Sequence, residues 1–201
     1  MAKTEKKGVF LKRLLFPDFF QGKSASQRIA YIALLTAFCV VVNSLEFKFA
    51  DVQFSFTMLF SILSGILLGS VFGFCACFLG DLVGFLHNSG GYIYMPWVGI
   101  ALGLTAMIAG AVYHGIPSEK KIWAYGKLTL IALATFLLCT IAINTTAFWI
   151  LYAQMKTSYF TYLFSRLFIQ GQIWNSLVNY ALTFFLVPIL AKIKILKIKF
   201  P

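Results

Sequence analysis

Residues Thr57–Phe85 read TMLFSILSGILLGSVFGFCACFLGDLVGF. Two apolar runs, about Thr57–Leu68 and Val71–Phe85, are parted only by Gly69-Ser70, and Asp81 is the one formal charge in the stretch. A glycine break between two apolar runs predicts a close helical hairpin, since helices satisfy their own backbone polar groups in hydrocarbon. On either side, four more apolar segments lie at about Ile29–Leu45, Met95–Tyr113, Leu128–Leu151 and Tyr162–Ala191. Inside all six, only Asp81 and Arg166 are formally charged. The pattern predicts an all-α integral membrane protein with six transmembrane helices in a compact bundle, because a span needs ~20 apolar residues. Residues 1–28 form a basic lead, 29–191 a six-helix transmembrane domain, and 192–201 a basic tail.

Apolar residues make up 60% of the 201 and charged residues 11%. A soluble domain carries roughly 25% charge. The six spans leave no length for a soluble catalytic domain, an ATP-binding domain or an extracellular receptor module. The net charge of +11 is distributed for a membrane, not for nucleic acid. Lys3, Lys6, Lys7, Lys12, Arg13, Lys23 and Arg28 precede the first span. Lys120, Lys121 and Lys127 separate the fourth and fifth, and Lys192, Lys194, Lys197 and Lys199 follow the sixth. With six spans these all fall on one side, and Lys48 and Lys156 on the other. The positive-inside rule makes the rich side cytoplasmic, so both termini are predicted inside, with the basic ends close to anionic lipid. A signal peptide is not expected, because the first residues are too charged.

No phosphate-binding glycine loop and no nucleophile elbow occurs. Cys39, Cys75, Cys77 and Cys139 lie in apolar spans, and Cys75-Ala-Cys77 has no His or third Cys nearby to complete a metal site. No metal or cofactor is expected. His87 and His114 fall on opposite sides of the membrane, which removes a shared catalytic role and with it the case for an enzyme.

In the lead, Val9–Phe20 suits a short interfacial helix limited by Pro17, with disorder as the alternative. In the first span, Ala33 and Ala37 place two small side chains one turn apart, a face fit for close approach of another helix, internal or external. Glu46–Phe56 alternates polar and aromatic residues, a strand-like period, and is read as an ordered outer loop folding over the bundle. Gly99, Gly103, Ala106 and Gly110 form a small-residue stripe on the fourth span, which begins at Pro96. Tyr92 and Tyr94 suit an interfacial aromatic belt.

Alternating span directions then collect Asn43, Gln53, Asp81, Asn88, Trp97, Asn144, Trp149, Arg166 and Gln170 in the outer half, and the inner half is poorer in polar side chains. This predicts an outward-opening polar cavity with aromatic walls. Arg166 and Gln170, four residues apart, would share a helix face. Arg166 suits a ligand carboxylate or phosphate; the alternatives are an internal pair with Asp81 and snorkelling to headgroups. Trp97, Trp149 and Tyr92 would stack on the ligand, with Arg166, Gln170, Asn88, Asn144 and Gln53 orienting it. Asp81 is read as a structural polar group; its competing role is proton coupling in a self-sufficient carrier.

Several stretches in order resemble the substrate-binding S component of energy-coupling factor (ECF) transporters, folate type, over roughly residues 26–190. They are Ala33-Leu-Leu-Thr-Ala37, Gln53-Phe-Ser-Phe56, Gly65-Ile-Leu-Leu-Gly69 to Gly73, Gly80-Asp81-Leu82-Val83-Gly84, Gly90-Gly91-Tyr92 and Ser165-Arg166-Leu167. Gln53 stands where many folate-type members carry a basic residue. The resemblance implies a multi-pass protein of the bacterial plasma membrane that binds a vitamin from outside: folate first, with pantothenate or cobalamin as alternatives. It further implies a transmembrane coupling subunit (T component) docked through Ala33 and Ala37, two cytoplasmic ATPase subunits that supply the energy, and toppling of the S component to release ligand inside.

Overall fold

The computed structural model describes residues 17, 22–49, 52–87, 93–116, 120–193, 198 and 200, without the side chains of 46–49 and 52–53. The expected interfacial helix at Val9–Phe20 lies outside them, Pro17 apart. Helix α1 spans Ala25–Ser44, and strands β1 (Glu46–Phe49) and β2 (Val52–Ser55) follow. Helices α2 (Thr57–Leu68), α3 (Ser70–His87) and α4 (Pro96–Gly115) come next. Helix α5 runs continuously over Lys121–Leu151, with a π-helical middle at Phe136–Thr145. Helix α6 (Tyr159–Phe164) passes into a π turn at Ser165–Ile169, and α7 spans Gln172–Ala191.

Local chemistry fixes the boundaries. Ser24 and Gln27 make a reciprocal capping box at the start of α1, each side chain accepting the other's backbone N–H. Pro96 opens α4. Gly69 turns between α2 and α3 at φ 84°, a left-handed angle that a Cβ would strain. The alternating segment after α1 is an antiparallel hairpin in which Glu46 faces Ser55 and Lys48 faces Gln53.

Five helices are long and apolar enough to cross a membrane: α1, α3, α4, α5 and α7. The expected sixth, α2, has 12 residues, about 18 Å against a hydrocarbon thickness of roughly 30 Å. It tolerates that length because it is enclosed: Leu59, Ile62, Leu63, Ile66 and Leu68 are buried. The first four pack with Ala109, Tyr113, Leu128, Ile131 and Val187 of α4, α5 and α7, and Leu68 packs with Ala76 of α3 and Ile32 and Leu35 of α1. The last segment also departs from expectation. It is not one helix from Tyr162 to Ala191 but two, broken at Gly171, whose φ of 72° ends the π turn and starts α7.

Small residues set the packing distance. A Cβ on Gly65 would collide with the Ala106 carbonyl of α4, and one on Gly110 would lie 2.6 Å from the Ser70 nitrogen. Helix α4 therefore lies directly against the α2–α3 turn, as its stripe of small residues predicts. Helix α1 is peripheral: 11% of its apolar stretch is buried against 44% for α4.

At one end of the bundle, polar side chains seal helix C-termini. His114 Nε2 lies 2.8 Å from the Ile66 carbonyl, and Lys127 Nζ donates to the Tyr113 carbonyl at 3.3 Å. Both acceptors belong to last turns, where free carbonyls attract donors and positive charge.

Candidate functional site

The opposite end gathers the polar groups. The end of α1 meets the end of α3 where Asn43 Nδ2 donates to Asp81 Oδ1 at 3.3 Å. The end of α3 meets the segment before α4 where the Tyr94 hydroxyl donates to Asp81 Oδ2 at 3.1 Å. The start of α4 meets the end of α5 where Trp97 packs edge-on against Phe148, ring centroids 6.3 Å apart. The start of α2 meets the start of α7 where Asn179 Oδ1 accepts the Leu59 N–H at 3.0 Å.

Phe148 is the centre of the aromatic cluster. The Arg166 guanidinium carbon stands 4.0 Å from its ring centroid, a stacked cation–π contact. Tyr152 also stacks on Phe148, with centroids 5.4 Å apart, and its hydroxyl donates to the Met95 sulfur. Asn144 lies one turn before Phe148, in the π-helical stretch of α5. Three polar atoms here are buried without a hydrogen-bond partner: Trp97 Nε1, Asn144 Oδ1 and Arg166 Nε. Among the described residues, only Ser176 Oγ joins them in that state.

The other expected site residues are placed as follows. Trp149 turns to the loop after α5: its indole donates to the Thr157 carbonyl at 2.9 Å and packs edge-on against Tyr159. Gln170 is exposed, and its backbone N–H closes the last π turn onto Ser165. Gln53 sits in β2 opposite Lys48, its side chain outside the described residues, and Asn88 and Tyr92 lie outside them entirely. Asp81 is 7% exposed. Its partners tie α1, α3 and the segment leading into α4. Gly99 makes room for the pair, since a Cβ there would sit 2.7 Å from the Tyr94 hydroxyl and 2.9 Å from Asp81 Oδ2. Burial, then the Asp81 charge, pushes the Tyr94 phenol up to about 12. A cavity of about 10 Å³ lined by Cys39, Asn43, Thr57, Ser61, Cys77 and Asp81 adjoins the carboxylate, room for roughly one water molecule.

Sequence reasoning missed Phe148 and read Tyr94 as a membrane-belt residue. Phe148 was detectable, because it follows Asn144 by four residues and so shares its face. Nothing in the sequence aimed Tyr94 at Asp81.

On the flank of the bundle, Ala33 and Ala37 are exposed. They line an apolar groove of about 660 Å³ with Ile29, Thr36 and Val40 of α1 and Leu79 and Val83 of α3.

Among the described residues no three His, Cys, Asp or Glu side chains could hold a metal. No curated protein matches the chain. Among solved structures it is similar to "Crystal structure of FolT bound with folic acid", with a TM-score of 0.61 and 22% identity, covering 79% of this chain and 90% of that one. At that identity the likeness speaks for the fold. The family described as "ECF transporter, substrate-specific component" matches residues 27–191. The chain therefore belongs to the substrate-specific components of ECF transporters, integral membrane proteins that serve transport rather than catalysis.

Proposed function

We propose that this chain is the high-affinity substrate-binding subunit through which an ECF-type ABC transporter of a bacterial plasma membrane takes up a vitamin, and that the vitamin is folate. One observation carries the reading: Trp97 Nε1 and Arg166 Nε, whose side chains flank Phe148, and Asn144 Oδ1, one turn earlier on α5, are buried and unpartnered. Leaving a buried polar atom unpaired costs about 1–3 kcal/mol. Three such atoms from α4, α5 and the π turn after α6 call for a ligand with two acceptors, for the indole and guanidinium, and one donor for the amide. A pteridine offers carbonyl and N–H groups on a flat ring that Trp97 and Phe148 can wall. The likeness to FolT supports the choice of folate. Gln170, Asn88, Tyr92, Trp149 and Gln53 complete the proposed ligand surround, Trp149 by holding the loop that follows α5.

In this reading α2 is the sixth crossing, both termini are cytoplasmic by the lysine distribution, and the polar end faces outward. The groove bearing Ala33 and Ala37 receives the transmembrane coupling subunit, whose two ATPase partners supply the energy. Small side chains let a partner helix approach closely, which favours association in lipid. The test is uptake of labelled folic acid into proteoliposomes. Uptake that needs the coupling subunit, the ATPases and ATP supports the reading. Accumulation by this chain alone under a proton gradient, abolished by Asp81→Asn, would establish a self-sufficient carrier instead. Uptake of pantothenate or cobalamin in place of folic acid would reassign the vitamin.

A further inference from the structure

Two side chains of α7 hold the junction between the hairpin and α2. Asn179, with 0% exposure, accepts the Leu59 N–H on Oδ1 at 3.0 Å and donates from Nδ2 to the Ser55 carbonyl at 2.8 Å. Asn175 Oδ1 accepts the Ser55 N–H at 3.2 Å. Asn179 Nδ2 also lies 2.8 Å from the Asn175 carbonyl and 3.1 Å from its Oδ1. Ser55 is the last residue of β2, so α7 binds both polar groups of the strand's end.

At the start of α2, Phe56 in the capping position gives no side-chain cap; Ser55 Oγ accepts the Thr57 N–H at 3.2 Å, which leaves the Leu59 N–H. Asn179 supplies that cap from across the bundle. A Ser or Asp at position 56 would satisfy the same orphan N–H locally, without burying an amide in α7, where each polar group must find a partner. A local cap would not connect the hairpin to α7. That connection matters because the Arg166 segment reaches α7 as well: its π turn ends at Gln170, and the left-handed Gly171 leads directly into Gln172. The hairpin and the Arg166 segment therefore share the first two turns of one helix.

We propose that Asn175 and Asn179 are positioning residues for the ligand site, fixing the hairpin relative to the Arg166 segment so that the two hold a bound molecule together. The proposal rests on the outer-end site argued above. The experiment uses the full-length protein in detergent and two variants, Asn175→Ala, which leaves the α2 cap in place, and Asn179→Ala. Hydrogen–deuterium exchange without ligand is the first measurement. Asn175→Ala should raise exchange at least fivefold in Val52–Leu59 and also in Tyr159–Ile169, with α3 and α4 unchanged. The second is the dissociation rate of folic acid, which should rise at least fivefold. Faster exchange confined to the hairpin, or a dissociation rate within twofold of the parent, would reduce the pair to a structural clamp and overturn the proposal. Failure of the unaltered protein to bind folic acid would instead refute the vitamin assignment, and the ligand-free exchange would still decide the linkage.

Discussion

Arg166→Ala is the most informative single substitution. Two contributions can be separated. The guanidinium stacks on Phe148 at 4.0 Å, worth about 0.5–2 kcal/mol and already made without ligand. Its Nε is buried and unpartnered, so a ligand acceptor there gains a charge-assisted hydrogen bond of about 1.5–3 kcal/mol. Only the second contribution differs between the free and bound states. Alanine should therefore weaken folic acid binding by roughly ten- to hundredfold, with the stacking loss appearing in thermal stability instead. Arg166→Lys keeps the charge but loses the planar fork, and should recover only part of the affinity. Isothermal titration calorimetry in detergent on the parent and both variants measures this. An Arg166→Ala affinity within twofold of the parent would remove Arg166 from the ligand surround and leave its unpaired Nε unexplained.

Replacing Ala33 and Ala37 with Leu fills the exposed groove on α1 without touching the polar end; binding should persist while ATP-dependent uptake falls below a tenth, and loss of binding would show that the alanines pack internally. Asp81→Ala leaves Asn43 and Tyr94 without their acceptor and should lower stability by about 1–3 kcal/mol, read as a reduced thermal midpoint; an unchanged midpoint would contradict the three-way tie. Gly65→Val drives a side chain into the Ala106 carbonyl of α4 and should abolish recovery of folded protein, which size-exclusion chromatography would reveal. The Tyr94 phenol, raised to about 12, favours its protonated form in the folded state. Its contribution is complete below the ordinary tyrosine range near ~10 and fades as pH climbs toward the raised value. The Asp81→Ala effect on the midpoint should thus be constant between pH 6 and 9, and a steep change there, followed by differential scanning fluorimetry, would contradict the assignment.

The architecture was legible because hydrocarbon leaves the chain few options. Gly69, the alternation of Glu46–Phe56 and the small-residue stripe of α4 each announce a local structure, and each formed. The sequence could not reveal that α2 is enclosed, since its apolar run resembles a lipid-facing one; burial depends on which neighbours surround it. Nor could periodicity expose the break at Gly171, because the apolar pattern continues through it and only the left-handed φ separates α6 from α7. The gathering of Trp97, Asn144 and Arg166 at one end follows from alternating helix directions. The hub on Phe148, the Tyr94–Asp81 bond and the remote cap by Asn179 depend on side chains meeting across helices, which spacing along one helix does not encode.

In the proposed function the outer polar end encloses a vitamin. Native mass spectrometry of the full-length protein, gently extracted from cells supplied with folate, tests it most directly. A single folate per chain, lost from the Arg166→Ala variant, is the predicted result. A chain carrying only lipid, with no folate acquired even after incubation at saturating concentration, would contradict it.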